Sequence, residues 1–300
     1  MQTSMKSREA RVAIHVAAVL FGLTGIFGEL IQGSAWLITA GRAAFASLGL
    51  LLFMRHTGHR LTWPQGTVAR FIGLAGLLLA VHWVSFFMAV KVGGIAIATL
   101  GFASFPAFIT LLEGLLFRER TRASEWAIVG LVSLGLIGVA PSFDFQDEAT
   151  IGLLWAIGSG LSFALFTLAN RKAVDHLPAH ALACLENALV AVLTLPWCLT
   201  EFATLRALDW FWIFMLGVVC TAFSHALLVA SLSRLKARSA AIVIALEPVY
   251  AIAFAALFFA QYPPARAILG GALIITAILA SGAARGRKPA TTADRLDING

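Results

Sequence analysis

Apolar residues run for about twenty positions at a time along most of this chain, and the charged residues fall mainly between the runs. About 20 residues at a rise of 1.5 Å cross the hydrocarbon of a bilayer. Read that way, the pattern predicts ten membrane spans, near residues 13–31, 35–54, 69–90, 93–117, 125–140, 151–169, 179–200, 209–230, 237–260 and 264–284. The links are short, and no stretch reads as a soluble domain. The last residues, 285–300, are polar and aperiodic and are expected to be disordered.

One stretch has an echo. Residues 80–122 hold His82 in one apolar run and Pro106 in the next, and close on the basic turn Arg118-Glu119-Arg120-Thr121-Arg122. Residues 240–261 repeat the second run, with Pro248 aligned on Pro106; Trp83 then falls on His225 and Glu119 on Gln261. Five spans lie on each side of the duplication point. An odd number forces the second unit to enter from the opposite face, so the halves are expected to be inverted repeats around a central cavity. The units are placed at 1–145 and 146–284. Such repeats give two mirror-related states, which is the physical basis of alternating access.

Charge sets the orientation. With the N-terminus inside, eighteen Lys and Arg residues fall in inner segments and three (Lys91, Arg206, Arg266) in outer links, while Arg42 lies within a span. That asymmetry places both termini in the cytoplasm. Hydrophobic residues make up 60% of the chain and charged ones 12%, too few to cover a soluble fold of 300 residues. The net charge of +7 lies in loops rather than on one face, so no nucleic-acid partner is expected. Cys184, Cys198 and Cys220 lie in apolar runs without metal-ligand spacing and imply neither disulfide nor metal. The basic start before span one resembles a signal peptide, but the run extends to Ile31 and more spans follow, so an uncleaved first helix is expected.

Ionisable groups at bilayer depth are costly and are functional candidates by default. His82 and His225 lie mid-span in repeat-equivalent helices. Each can be a neutral ring bonded to a carbonyl, or one of two groups lining a shared cavity. Glu247 precedes Pro248, where a proline frees a helix carbonyl, and reads equally as structural or as a coupling group. Pro106 and Pro248 are expected to bend their helices. Glu113 and Glu119 read as gate or anchoring pairs beside Arg118 and Arg120; Arg42 and Glu186 read as structural. Gly22, Gly25 and Gly28 form a small-residue ladder on span one suited to close helix approach, or to substrate contact helped by Thr24. In span six, Trp155, Ser159, Ser162, Phe163 and Phe166 share a rough face, while Trp197, Trp210 and Trp212 near span ends read as interfacial anchors.

These features together resemble a known family. Each half has a Gly- and Ala-rich fourth helix with a central proline (Ala98 to Pro106; Ala245 to Pro248), and the first closes on the turn Phe117-Arg118-Glu119-Arg120. In this the chain resembles the EamA units of the drug/metabolite transporter superfamily, over about residues 12–284, and Arg42 matches an arginine common there. It looks most like the YddG-type amino-acid exporters of bacterial inner membranes. It departs from the pattern at Gln261, where the family often has Glu, and at Glu186, near the counterpart of Arg42.

The resemblance implies a ten-helix basket around a cavity, and export of neutral and aromatic amino acids and related small metabolites. A zwitterion needs polar partners, here His82, Ser104 and His225, with Thr24 and Ser162 beside them. Its side chain needs apolar lining such as Trp83, Phe86, Phe102 and Phe166. Pro106, Pro248 and Glu247 are the expected hinge or gating residues. A proton-coupled exporter of lipophilic cations is the alternative, although that chemistry wants a central carboxylate where span one has Phe21 and Gly22. An intramembrane enzyme is the remaining reading, with Ser159 or a histidine as nucleophile or base. No His-Glu-x-x-His zinc motif or Gly-rich phosphate loop appears, and no cofactor is implied. The expected setting is a multi-pass protein of the bacterial inner membrane, acting as a monomer on small molecules.

Overall fold

The computed structural model describes residues 7–117, 123–140, 144, 146–170, 177–232, 235, 243–244 and 246–284. The basic turn at 118–122 with Glu119, the inner basic residues Arg171, Lys172, Arg234, Lys236 and Arg238, and the tail expected to be disordered lie outside the described residues. Among the described residues the chain is all helix and turn. The elements are α1 (Ser7–Leu30), α2 (Ala35–His56), α3 (Gly66–Phe102), α4 (Phe105–Phe117), α5 (Ala123–Val139) and α6 (Glu148–Asn170). After α7 (Ala179–Thr194) and two 3-10 turns come α8 (Ala207–Phe214), a π-helical segment (Met215–Phe223) and α9 (Ser224–Leu232), then α10 (Glu247–Phe259) and α11 (Ala265–Ala284). Among the described residues, six helical stretches are long and apolar enough to cross a membrane, and four shorter apolar ones accompany them.

Lipid tails are as apolar as leucine, so helices in a bilayer associate through close packing rather than through escape from water. The glycines supply it. A Cβ on Gly22 would stand 2.8 Å from the Cβ of Tyr250, one on Gly25 3.1 Å from Ile95, and one on Gly28 2.7 Å from the Phe87 ring. The ladder on span one therefore seats α1 against α10 and α3. Gly93 and Gly152 bring the backbones of α3 and α6 together, and α3 lies along α6 for much of its length. α2 packs on α7 and the π segment, and α5 on α11. Phe87, Ile95, Ile213 and Leu216, all fully buried, are centred where these helices meet.

The helix breaks differ from the expected ones. The reading by hydropathy separates spans three and four at Lys91–Gly94. α3 instead runs through that point, interrupted only at Gly94, whose φ of 81° is a left-handed conformation open to glycine. Lys91 donates to the carbonyls of Glu29 and Ile31 at 3.2 and 2.9 Å, capping the end of α1 with a cation that suits a helix C-terminus. Pro106 was expected to bend a continuous helix. The chain turns at Ala103–Ser104 instead, and Pro106 is the second residue of α4. Pro248 likewise stands in the first turn of α10. A first-turn proline loses no helical hydrogen bond, since the N–H it lacks would have no partner there. Both prolines thus start a helix after an interruption.

One end of the bundle is tied by polar contacts. Glu201 accepts from the Ser34 amide at 2.8 Å and the Ser34 hydroxyl at 2.6 Å. Asp209 accepts from the Gln32 amide at 3.0 Å and takes both Nε and Nη2 of Arg206 at 2.9 Å. Trp36 and Trp197 pack with centroids 5.4 Å apart, as anchors near span ends do.

Candidate functional site

A cavity of about 310 Å³ lies in the centre of the bundle, walled by α1, α2, α3, the start of α4, α6, α7, the π segment, α9 and α10. A larger groove of about 570 Å³ runs along the outer face of α1 from Arg8 to Leu20, but it is lined by that one helix and stands open. The central cavity has two contrasting sides.

The first side is polar and is built around Arg42. α2 carries this residue into the protein interior, where it is only 7% exposed. A Cβ on Gly217 would meet the Arg42 carbonyl at 2.7 Å, so α2 and the π segment touch at backbone level here. A π turn widens the helix, and such turns recur at functional sites. This one presents Thr221, whose hydroxyl donates to the Leu216 carbonyl five residues earlier at 2.7 Å. The Thr221 oxygen then accepts from Nε of Arg42 at 2.8 Å. The guanidinium carbon sits 4.0 Å from the centroid of the Trp83 ring and 5.8 Å from that of Phe87. Stacking on an indole face stabilises a desolvated cation by about 2 kcal/mol. Among the described residues Arg42 makes no ion pair. Its outer nitrogens are thus left for something that enters the cavity. Glu247, at the start of α10, lines the same space and interacts with Arg42 electrostatically.

The second side is aromatic. Nδ1 of His82 lies 2.7 Å from the Ser159 hydroxyl oxygen and 3.2 Å from the Ser159 carbonyl. The Ser159 hydroxyl itself donates to the His82 carbonyl at 3.0 Å. With that proton already committed, Nδ1 must be the donor, and in the neutral ring Nε2 is the acceptor. Nε2 has no partner among the described residues. Around the imidazole stand Phe102 and Phe163, each with its centroid 4.9 Å away, and Phe86 at 6.4 Å. Phe105 stacks on Phe102 at 5.2 Å, and Phe166 adjoins Phe163 at 5.6 Å. The result is an apolar box with one hydrogen-bonding nitrogen.

Of the residues expected to bind substrate, Thr24, His82, Trp83, Phe86, Phe102, Phe166 and His225 line this cavity, as does Glu247. Ser104 and Ser162 do not line it: their hydroxyls donate to the carbonyls of Gly101 and Leu78, both at 2.7 Å. Pro106 and Pro248 sit at helix starts beside the lining residues Phe105 and Glu247 without lining the cavity themselves. Sequence reasoning placed Arg42 and Glu186 as structural, and both are in the wall. It missed Phe105 and Asn187 altogether. Two signals pointed at Arg42: its position as a charge within a span and its match to a family arginine.

Comparison with known proteins identifies the family. The profile of the EamA-like transporter family matches residues 10–140 and again 150–282. The chain belongs to the EamA-like transporter family. It is thus a multi-pass membrane protein. It is 29% identical to an uncharacterized transporter of Archaeoglobus fulgidus, over 91% of this chain and 96% of the other. It is 26% identical to the uncharacterized transporter YwfM of Bacillus subtilis, over 96% and 99% of the two chains. The pseudopaline exporter CntI of Pseudomonas aeruginosa is 28% identical over 80% of this chain and 83% of its own. A solved crystal structure 19% identical in sequence shares the fold, with a TM-score of 0.62 over 97% of this chain and 99% of that one.

Proposed function

We propose that this protein exports small amphipathic metabolites that carry a carboxylate, neutral and aromatic amino acids foremost, across the bacterial inner membrane. The observation that carries this reading is Arg42: a buried, stacked guanidinium, without an ion pair among the described residues, facing a cavity whose other side is an aromatic box. A guanidinium fork matches a carboxylate in geometry and charge. Glu247 stands where the ammonium of a zwitterion would find its counter-charge, and the box of Phe86, Phe102, Phe105, Phe163 and Phe166 takes the side chain. His82 offers Nε2 as an acceptor beside the box, and His225 adds a second polar group.

Transport runs by alternating access of two inverted five-helix units, residues 1–145 and 146–284, in ten crossings with both termini in the cytoplasm. Support comes from the charge asymmetry of the loops, from the two stretches matched by the family profile and from the parallel helix starts at Pro106 and Pro248. The protein acts without a cofactor, and as a monomer, because each unit completes the cavity of the other. Reconstitution tests this: liposomes loaded with unlabelled phenylalanine should accumulate labelled phenylalanine by counterflow, and uptake equal to protein-free liposomes would refute the reading. Pseudopaline, the compound in the name of the Pseudomonas aeruginosa relative, belongs in the same assay as a second substrate.

A second reading, export of lipophilic cations, is favoured by Glu186 and Glu247, both in the cavity wall. Cationic dyes separate the two: a cation exporter moves dyes and ignores phenylalanine.

A further inference from the structure

Three buried oxygen atoms at the α6–α7 side of the cavity have no hydrogen-bond partner among the described residues: Oε1 of Glu186 and the amide oxygens of Asn170 and Asn187. The Asn187 amide cannot be turned to help, because its nitrogen donates to the Ala183 carbonyl at 2.8 Å and flipping it would set oxygen against oxygen. The Glu186 carboxylate is only 4% exposed. Glu186 forms no ion pair among the described residues. The groups that share its cavity are Arg42 of α2, His82 of α3, His225 of α9 and Glu247 of α10, with Cys184 on its own helix. Arg42 is engaged with Thr221 and Trp83.

An ionised carboxylate sealed without a counter-charge costs several kcal/mol. Oε1 of Glu186 is fully enclosed and offers no surface to which a water molecule could donate. A proton is small enough. On Oε1 it removes the charge and converts an orphaned acceptor into a donor. We propose that Glu186 is a proton-carrying site of this transporter: it holds a proton in the conformation described here and releases it to water when the α6–α7 wall opens to one side. A carboxyl group that is sealed in one state and hydrated in the other binds a proton in the first and yields it in the second. Each cycle then moves a proton opposite to the exported substrate. The inference rests on the transport reading, but not on which substrate is carried.

Two measurements on the full-length protein test it. Infrared spectroscopy at neutral pH should show a carboxylic-acid carbonyl band that is missing from Glu186→Gln, with both proteins folded by melting. Absence of that difference overturns the proposal whether or not any substrate has been found. In liposomes an imposed pH gradient should drive accumulation of labelled phenylalanine. Glu186→Gln should lose that accumulation by at least about tenfold relative to its own counterflow. Gradient-driven accumulation that persists in the variant overturns the proposal. Failure of counterflow in the wild type refutes the amino-acid reading, and the infrared band alone then decides whether Glu186 carries the proton.

Discussion

The guanidinium carbon of Arg42 lies 4.0 Å from the centroid of the Trp83 ring, and no carboxylate pairs with it among the described residues. A cation so buried is stabilised by the ring face and by Thr221, which fixes its plane without neutralising it. Arg42→Ala should weaken binding of carboxylate substrates by tenfold to a hundredfold, the effect of losing a charged hydrogen bond of about 1.5–3 kcal/mol. Arg42→Lys keeps the charge but not the planar stack, and should recover only part of the loss. Titration of the Trp83 fluorescence with phenylalanine measures both, and equal affinity in Arg42→Ala would remove Arg42 from the site.

Ser159 holds the His82 ring from both sides of the α3–α6 contact. Ser159→Ala deletes the shorter of the two Nδ1 contacts, leaving the Ser159 carbonyl at 3.2 Å, together with the donor to the His82 carbonyl, and should lower stability by about 1–3 kcal/mol. Because it also loosens the hold on the imidazole, transport per folded molecule should fall too. Thermal melting and liposome uptake on one preparation check the two effects. His82→Gln with full transport would rule out any need for a proton on that ring.

Gly152 should tolerate no side chain. Its Cβ would run into the backbone of Gly93, where nothing flexible can give way. Gly152→Ala is expected to cost roughly 1–3 kcal/mol of stability and to reduce folded yield. Gly158, further along the same helix, has nothing within 4 Å of its Cβ direction, so Gly158→Ala should be silent. The same yield from both variants would contradict the α3–α6 contact.

Pro106→Ala and Pro248→Ala should leave stability within about 1 kcal/mol, since a first-turn proline loses no helical bond. Each substitution lets the preceding turn run on into the helix. Slower exchange at unchanged folded yield is the expected result. Wild-type rates in both would deny the helix starts a part in the transport cycle.

Much of the helical layout was legible in the sequence, because an apolar run of span length has few other uses and the glycine ladder of α1 admits close packing by its spacing alone. Hydropathy also pointed to His82 and Trp83, a polar and aromatic pair with no interfacial excuse mid-span. It could not show the Arg42 site. An arginine six or seven residues into a span looks the same whether it faces the backbone or a cavity; the difference depends on Thr221, 179 residues away, and on a π turn that no periodicity announces. Gly94 misled for a similar reason: paired glycines signal a loop, whereas here one residue with positive φ interrupts a helix that otherwise continues. Ser104 and Ser162 show the limit of residue type as a guide, since a hydroxyl in an apolar helix is readily taken by a carbonyl of its own or a neighbouring helix.

The most direct test is phenylalanine counterflow in liposomes carrying the wild type or Arg42→Ala, each verified as folded by its melting curve. Wild-type liposomes loaded with unlabelled phenylalanine should accumulate the label well above protein-free controls, and Arg42→Ala should lose roughly nine-tenths or more of that uptake, in line with a tenfold or greater loss of affinity. Undiminished uptake in Arg42→Ala, or a wild type that moves cationic dyes and no phenylalanine, would contradict the assignment of Arg42 as the carboxylate site of this transporter.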